Sequence, residues 1–134
     1  MSACSVSVCS VSVFRVYVPR VCTMVAAAGM CKSLYALAFQ YALWLANRTF
    51  SRQLGSCPLA RLASPPDHVR ELRRAKPFGC RVWSHRQLGV HGRLDKMDPT
   101  ARHAVFVGMS ELYKGWLVQY DYGSFAAAVH CRAN

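Results

Sequence analysis

Residues 77–122 read PFGCRVWSHRQLGVHGRLDKMDPTARHAVFVGMSELYKGWLVQYDY, and this stretch decides the fold. Three short apolar runs lie inside it: Cys80–Trp83, Ala104–Met109 and Trp116–Tyr120. Gly89, Gly92 and Asp98-Pro99 separate the first two; Ser110 and Gly115 separate the second pair. Short β-rich runs punctuated by Gly, Pro and Asp predict a compact β module, a small barrel or sandwich. A basic surface and no visible catalytic machinery complete that reading.

Outward from this module, the composition sets bounds. The chain has 134 residues, room for one ordinary domain or two small pieces. Apolar residues make up 53% and charged residues 17%, which argues against wholesale disorder. Seventeen Lys and Arg against six Asp and Glu give a net charge of +11. Such an excess suits a polyanion or an anionic surface and says nothing about fold. The seven cysteines are odd in number and scattered, which predicts a reducing compartment and mostly unpaired thiols.

No run reaches the ~18 consecutive apolar residues of a membrane span, because Lys32 and Gln40 interrupt the best candidate. Val25–Ala28 mimics a signal-peptide cleavage site, but no basic start precedes it, and Arg15 and Arg20 break the apolar region. Secretion is disfavoured.

Upstream, residues 1–23 alternate Ser and Val as a strand would, yet the phase slips at Cys9-Ser10 and Val13-Phe14. This segment is β-prone, uncharged along most of its length and liable to aggregate. From about Met24 to Asn47 the pattern is helical. Leu34, Leu37, Tyr41 and Leu45 share one face, and Tyr35, Phe39, Ala42 and Ala46 another. A long helix apolar nearly all round is expected to be buried on several sides. Asn47–Thr49 ends it; Pro58 suits the first position of a short helix over 58–62. Ser64-Pro65-Pro66-Asp67 is the best domain boundary, and residues 67–76 form a basic connector with a helical turn or two.

The order FGC, RLDKMDPTAR, AVFVGMS and KGWLVQYD closely resembles the SH3-like domain behind the integrase core of copia-type LTR retrotransposon polyproteins. LYALAFQYALWLANRTFSRQLGSCPLARL upstream resembles the closing helices of that core. The resemblance implies an α+β chain: helices left from the integrase core over 24–66, the connector 67–76, and a small SH3-like β-barrel over 77–122. The flanking residues 1–23 and 123–134 match nothing in that pattern, so the barrel lacks an identifiable closing strand. Met109 and Trp116 stand where the family commonly has Tyr, swaps that keep bulk.

The resemblance also carries a chemistry to test. Integrases of this family use two Asp and one Glu around two divalent metals, and such metals ~3.5–4 Å apart need clustered carboxylates. Before the β module this chain offers only Asp67 and Glu71, at a place where the family has no catalytic acid. The expectation is a chain without catalytic residues of its own and without a cofactor. Zinc is disfavoured as well: Cys80, His85, His91, His103, His130 and Cys131 contain no closely spaced Cys pair. No phosphate-binding glycine loop is present.

What remains is the basic surface. Between Arg70 and Arg102 nine Lys or Arg face three acids. The residues expected to contact DNA phosphates are Arg81, Arg86, Arg93, Lys96, Arg102 and Lys114. Trp83, His85 and Trp116 are candidate stacking platforms, although packing in the core is the commoner use of a tryptophan. The expected partners are DNA and the absent integrase core or other polyprotein domains, with no membrane, in the nucleus or a cytoplasmic particle. Two other readings stand beside this one: a protein-interaction or assembly segment built on the apolar helix, and a transposon relic without function.

Overall fold

A computed structural model describes residues 17–62, 67–85, 99, 101–110, 112, 115–121, 123–128 and 131–133. The chain divides into two units, Met1–Ala75 and Lys76–Asn134. The fold class is α+β: helices occupy the first unit and one antiparallel sheet the second.

The first unit begins with α1 (residues 17–27). Residues 17–23, the end of the stretch read from sequence as β-prone, belong to this helix. Val21 and Val25, one turn apart, form its buried side. The expected long apolar helix from 24 to 47 does not exist as one element. It is broken after α1, where the Gly29 N–H donates to Ala26 O (3.0 Å) and the Met30 N–H to Val25 O (3.2 Å). These two bonds make a Schellman stop, which needs a left-handed residue, and Gly29 supplies it at φ 63°. Gly29→Ala meets no atom but keeps the strained φ. It should cost the unit about 1 kcal/mol by chemical denaturation.

After a 3-10 turn over Lys32–Leu34, α2 runs Tyr35–Arg48, rich in the strong helix formers Ala and Leu. Its buried stripe is Leu34, Ala38, Tyr41 and Trp44, at spacings of four, three and three. Ala36, Gln40 and Asn47 are exposed, and Leu37 and Leu45 only half-buried. The expectation of burial on several sides is therefore also corrected: one stripe is buried outright, and most of the remaining surface is half-buried. Tyr41 and Trp44 stack at 6.0 Å between centroids.

Arg48 closes α2. Its guanidinium lies 4.1 Å over the Trp44 ring, donates to Trp44 O, and pairs through Nε with Glu71 Oε2 at 2.6 Å. Glu71 belongs to α3 (His68–Arg73), whose first turn is capped by Asp67 accepting from the Arg70 N–H at 3.0 Å. A 3-10 helix over Pro58–Arg61 starts on its proline, and Cys57 Sγ donates to Asn47 O at 3.0 Å. The Ser64–Pro66 part of the expected boundary lies outside the described residues.

The second unit contains β1 (Arg81–His85), β2 (Ala101–Ser110), β3 (Gly115–Gln119), β4 (Phe125–Ala128) and β5 (Cys131–Ala133). All neighbours are antiparallel, in the order β4-β3-β2-β1-β5. The three apolar runs coincide with β1, β2 and β3. The tail, which matched no closing strand, supplies β4 and β5. Among the described residues they pair with β3 and β1, not with each other, so the described sheet is open at both edges and the expected barrel is not closed.

Alternation along the strands separates two faces. Val82, Ala104, Phe106, Trp116, Val118 and Ala128 form the packed face. Between Phe106 and Gly108 the register shifts, leaving Val107 without a cross-strand partner. A bulge of this kind breaks the period of two, which is why Phe106 and Val107 are both fully buried in succession. Phe106 meets Trp116 edge to face at 5.8 Å. Ser84, also on the packed face, shares a 2.9 Å hydrogen bond with the half-buried Tyr120 hydroxyl. Ser84→Ala removes that partner and should lower the unit's stability by about 1 kcal/mol, readable as a drop in melting temperature.

Candidate nucleic-acid interface

The outer face of the sheet follows from the same register. On β1, Arg81, Trp83 and His85 point away from the packed face and are exposed. Val105, His103 and Ala101 of β2 stand opposite them in turn. Trp83 and His103 are thus a directly opposed cross-strand pair, and their rings meet at 3.6 Å between centroids with a 38° tilt. Trp83 remains 37% exposed. Beside the pair is a depression of about 350 Å³ lined by Trp83, Ala101, Arg102, His103, Tyr120 and Asp121.

The two candidate tryptophans are separated by this geometry. Trp116 is a core residue, 8% exposed, with Lys76 Nζ 6.0 Å from its ring centroid. Trp83 is a surface residue. The signal that distinguishes them lies in strand phase: Trp83 follows the buried Val82, whereas Trp116 is two residues from the buried Val118 and shares its face. His103, which the sequence offered only as a zinc ligand candidate, becomes part of the site through its register with Trp83.

Of the six residues expected to touch phosphate, Arg81 and Arg102 are described, and both are exposed. They do not share a face. Arg81 pairs in register with Val105 on the outer side, while Arg102 stands opposite the buried Ser84 and reaches solvent at the sheet's end. Arg86, Arg93, Lys96 and Lys114 lie outside the described residues.

The two acids weighed for catalysis hold structural positions, Asp67 as the cap of α3 and Glu71 as the partner of Arg48. Among the described residues no three of His, Cys, Asp and Glu gather closely enough to hold a metal ion. No helix of the described residues is long and apolar enough to cross a membrane.

Four described cysteines, Cys22, Cys31, Cys57 and Cys80, are free. Their environments differ. Hydrogen bonds from Ser33 hold the exposed Cys31 thiol below its ordinary value. Burial pushes Cys80 up, against a smaller opposing pull from Lys76. The thiolate is the reactive form, so iodoacetamide should modify Cys31 at lower pH and faster than Cys80. Peptide mapping of alkylation across a pH series reads that order directly.

Searches against protein-family models, curated proteins and solved structures returned no match to this chain.

Proposed function

We propose that this chain is the end of a copia-type retrotransposon integrase: closing core helices followed by an SH3-like module that supports DNA integration by binding nucleic acid, without catalytic residues of its own. The motif order in residues 77–122 supports the family reading. The five-stranded antiparallel order is compatible with it: the last strand returns beside the first, and the long, bulged β2 serves both halves of the sheet. The observation that carries the binding reading is the division of labour between the two sheet faces. One packs the core; the other leaves Arg81, Trp83, His85 and His103 exposed on a chain of net charge +11.

Electrostatic binding of this kind follows counterion release, so affinity for duplex DNA should fall linearly on a log–log plot as salt rises. Arg81→Ala is expected to weaken binding for all sequences alike and to lower the steepness of that plot by about 1. Fluorescence anisotropy with a labelled duplex across a salt series measures both. Absence of binding, or binding indifferent to salt, rejects the proposal.

A second reading, an assembly segment, is favoured by a separate observation. Phe50, Leu62 and Val69 of the first unit are each more than half exposed. Exposed apolar side chains drive association where they form a contiguous patch. Light scattering on the purified chain separates the two: a clean monomer removes the assembly reading.

A further inference from the structure

The exposed ring pair is more specific than a phosphate-binding surface requires. A protein that only tracks a duplex backbone has no use for an indole held open to solvent, since the bases of a duplex are stacked on one another. Trp83 would bury more apolar area on the packed face, yet strand phase places it outside, backed by His103 at 3.6 Å. The 38° tilt leaves the two ring planes splayed. The depression beside them, about 350 Å³, lies within the roughly 300–1,000 Å³ usual for small-ligand sites. Its lining joins rings (Trp83, His103, Tyr120) with one cation (Arg102) and one anion (Asp121).

Those charges decide what enters. Asp121 repels a phosphate and accepts hydrogen bonds, so its side of the depression suits an uncharged group that donates, such as the amino edge of a base. Arg102 at the rim suits the phosphate that follows. Arg81, two residues from Trp83 on the same face of β1, stands about 7 Å away along the strand, on the opposite side of the ring from the depression's end of the sheet. Aromatic rings flanked by cations are how single strands are held, because every base has a π-face and every linkage a charge.

We propose that Trp83 and His103 form a stacking platform for an unpaired nucleobase, so that this site binds single-stranded nucleic acid, with Arg81 of the outer face and Arg102 at the rim of the depression on the flanking phosphates. The proposal deepens the nucleic-acid reading above and shares its polyanion affinity, but it does not depend on duplex binding.

The test compares a labelled single-stranded DNA oligonucleotide with its duplex, at one low salt concentration, on the full chain and its variants. Trp83→Ala should lower single-strand affinity about tenfold, the cost of losing one base stack, and lower duplex affinity much less. Trp83→Phe should retain most of it, and His103→Ala should fall between them. Trp83 lies opposite the packed face, so circular dichroism of Trp83→Ala should match the parent; if that variant does not fold, the order of Trp83→Phe and His103→Ala decides. Equal losses on both DNA forms, or no loss on either, overturn the stacking platform while leaving duplex binding in place. Single-strand binding without any duplex binding sinks the duplex reading alone. A chain that binds neither form sinks both.

Discussion

Phe106→Ala is expected to lower the stability of the Lys76–Asn134 unit by about 4 kcal/mol. The side chain is fully buried, packs edge to face on Trp116, and sits where β2 leaves the register of β1 for that of β3. Its backbone is anchored as well: Phe106 N–H donates to Cys80 O at 2.9 Å, and Gly79 N–H donates to Phe106 O at 2.8 Å. Alanine keeps those bonds but leaves a ring-sized cavity between the two halves of the sheet. Domains are stable by roughly 5–15 kcal/mol, so such a loss brings a unit this small close to its threshold. Urea denaturation followed by circular dichroism measures it. Phe106→Leu, which keeps much of the volume, should cost about 1.5 kcal/mol or less. A loss under about 1 kcal/mol for the alanine variant would contradict the placement of the core, because that size belongs to surface positions.

Glu71→Ala should cost the first unit about 2 kcal/mol, for a different reason. The Arg48 side chain is only 10% exposed, and Glu71 is its sole carboxylate partner among the described residues. Removing that partner strands a largely desolvated guanidinium with one carbonyl bond and the Trp44 ring. Glu71→Gln keeps an acceptor and should recover part of the loss. Replacing both residues by methionine should cost less than the two single changes added together, since no unpaired charge remains. A double-mutant cycle by thermal denaturation gives the coupling. Additive losses would mean that the 2.6 Å contact contributes nothing.

Much of this structure is legible along the chain. The three apolar runs of residues 77–122 sit where β1, β2 and β3 are, because strand-forming side chains and turn residues act locally. Pro58 starts its short helix and Thr49 follows the last residue of α2 for the same reason. The break at Gly29 is equally local, since a glycine after Val25–Ala28 is a helix stop, but apolar periodicity runs on both sides of it and masks the stop. β4 and β5 are not legible along the chain, because neither Phe-Ala-Ala-Ala nor Cys-Arg-Ala has a strand signature of its own; they are strands through pairing with β3 and β1.

The site divides along the same line. Residue types, the positive charge and the order of the runs are properties of the chain, and the expectation of a polyanionic partner rests on them alone. The chain alone cannot place Arg81 and Arg102 on opposite faces, put Trp83 outside and Trp116 inside, or set His103 against Trp83. Each of those depends on register, and register is settled by which strands pair and by the bulge at Val107. A shift of one residue would exchange the faces of a whole strand. Local sequence therefore determined the elements, and long-range pairing decided the surface they present.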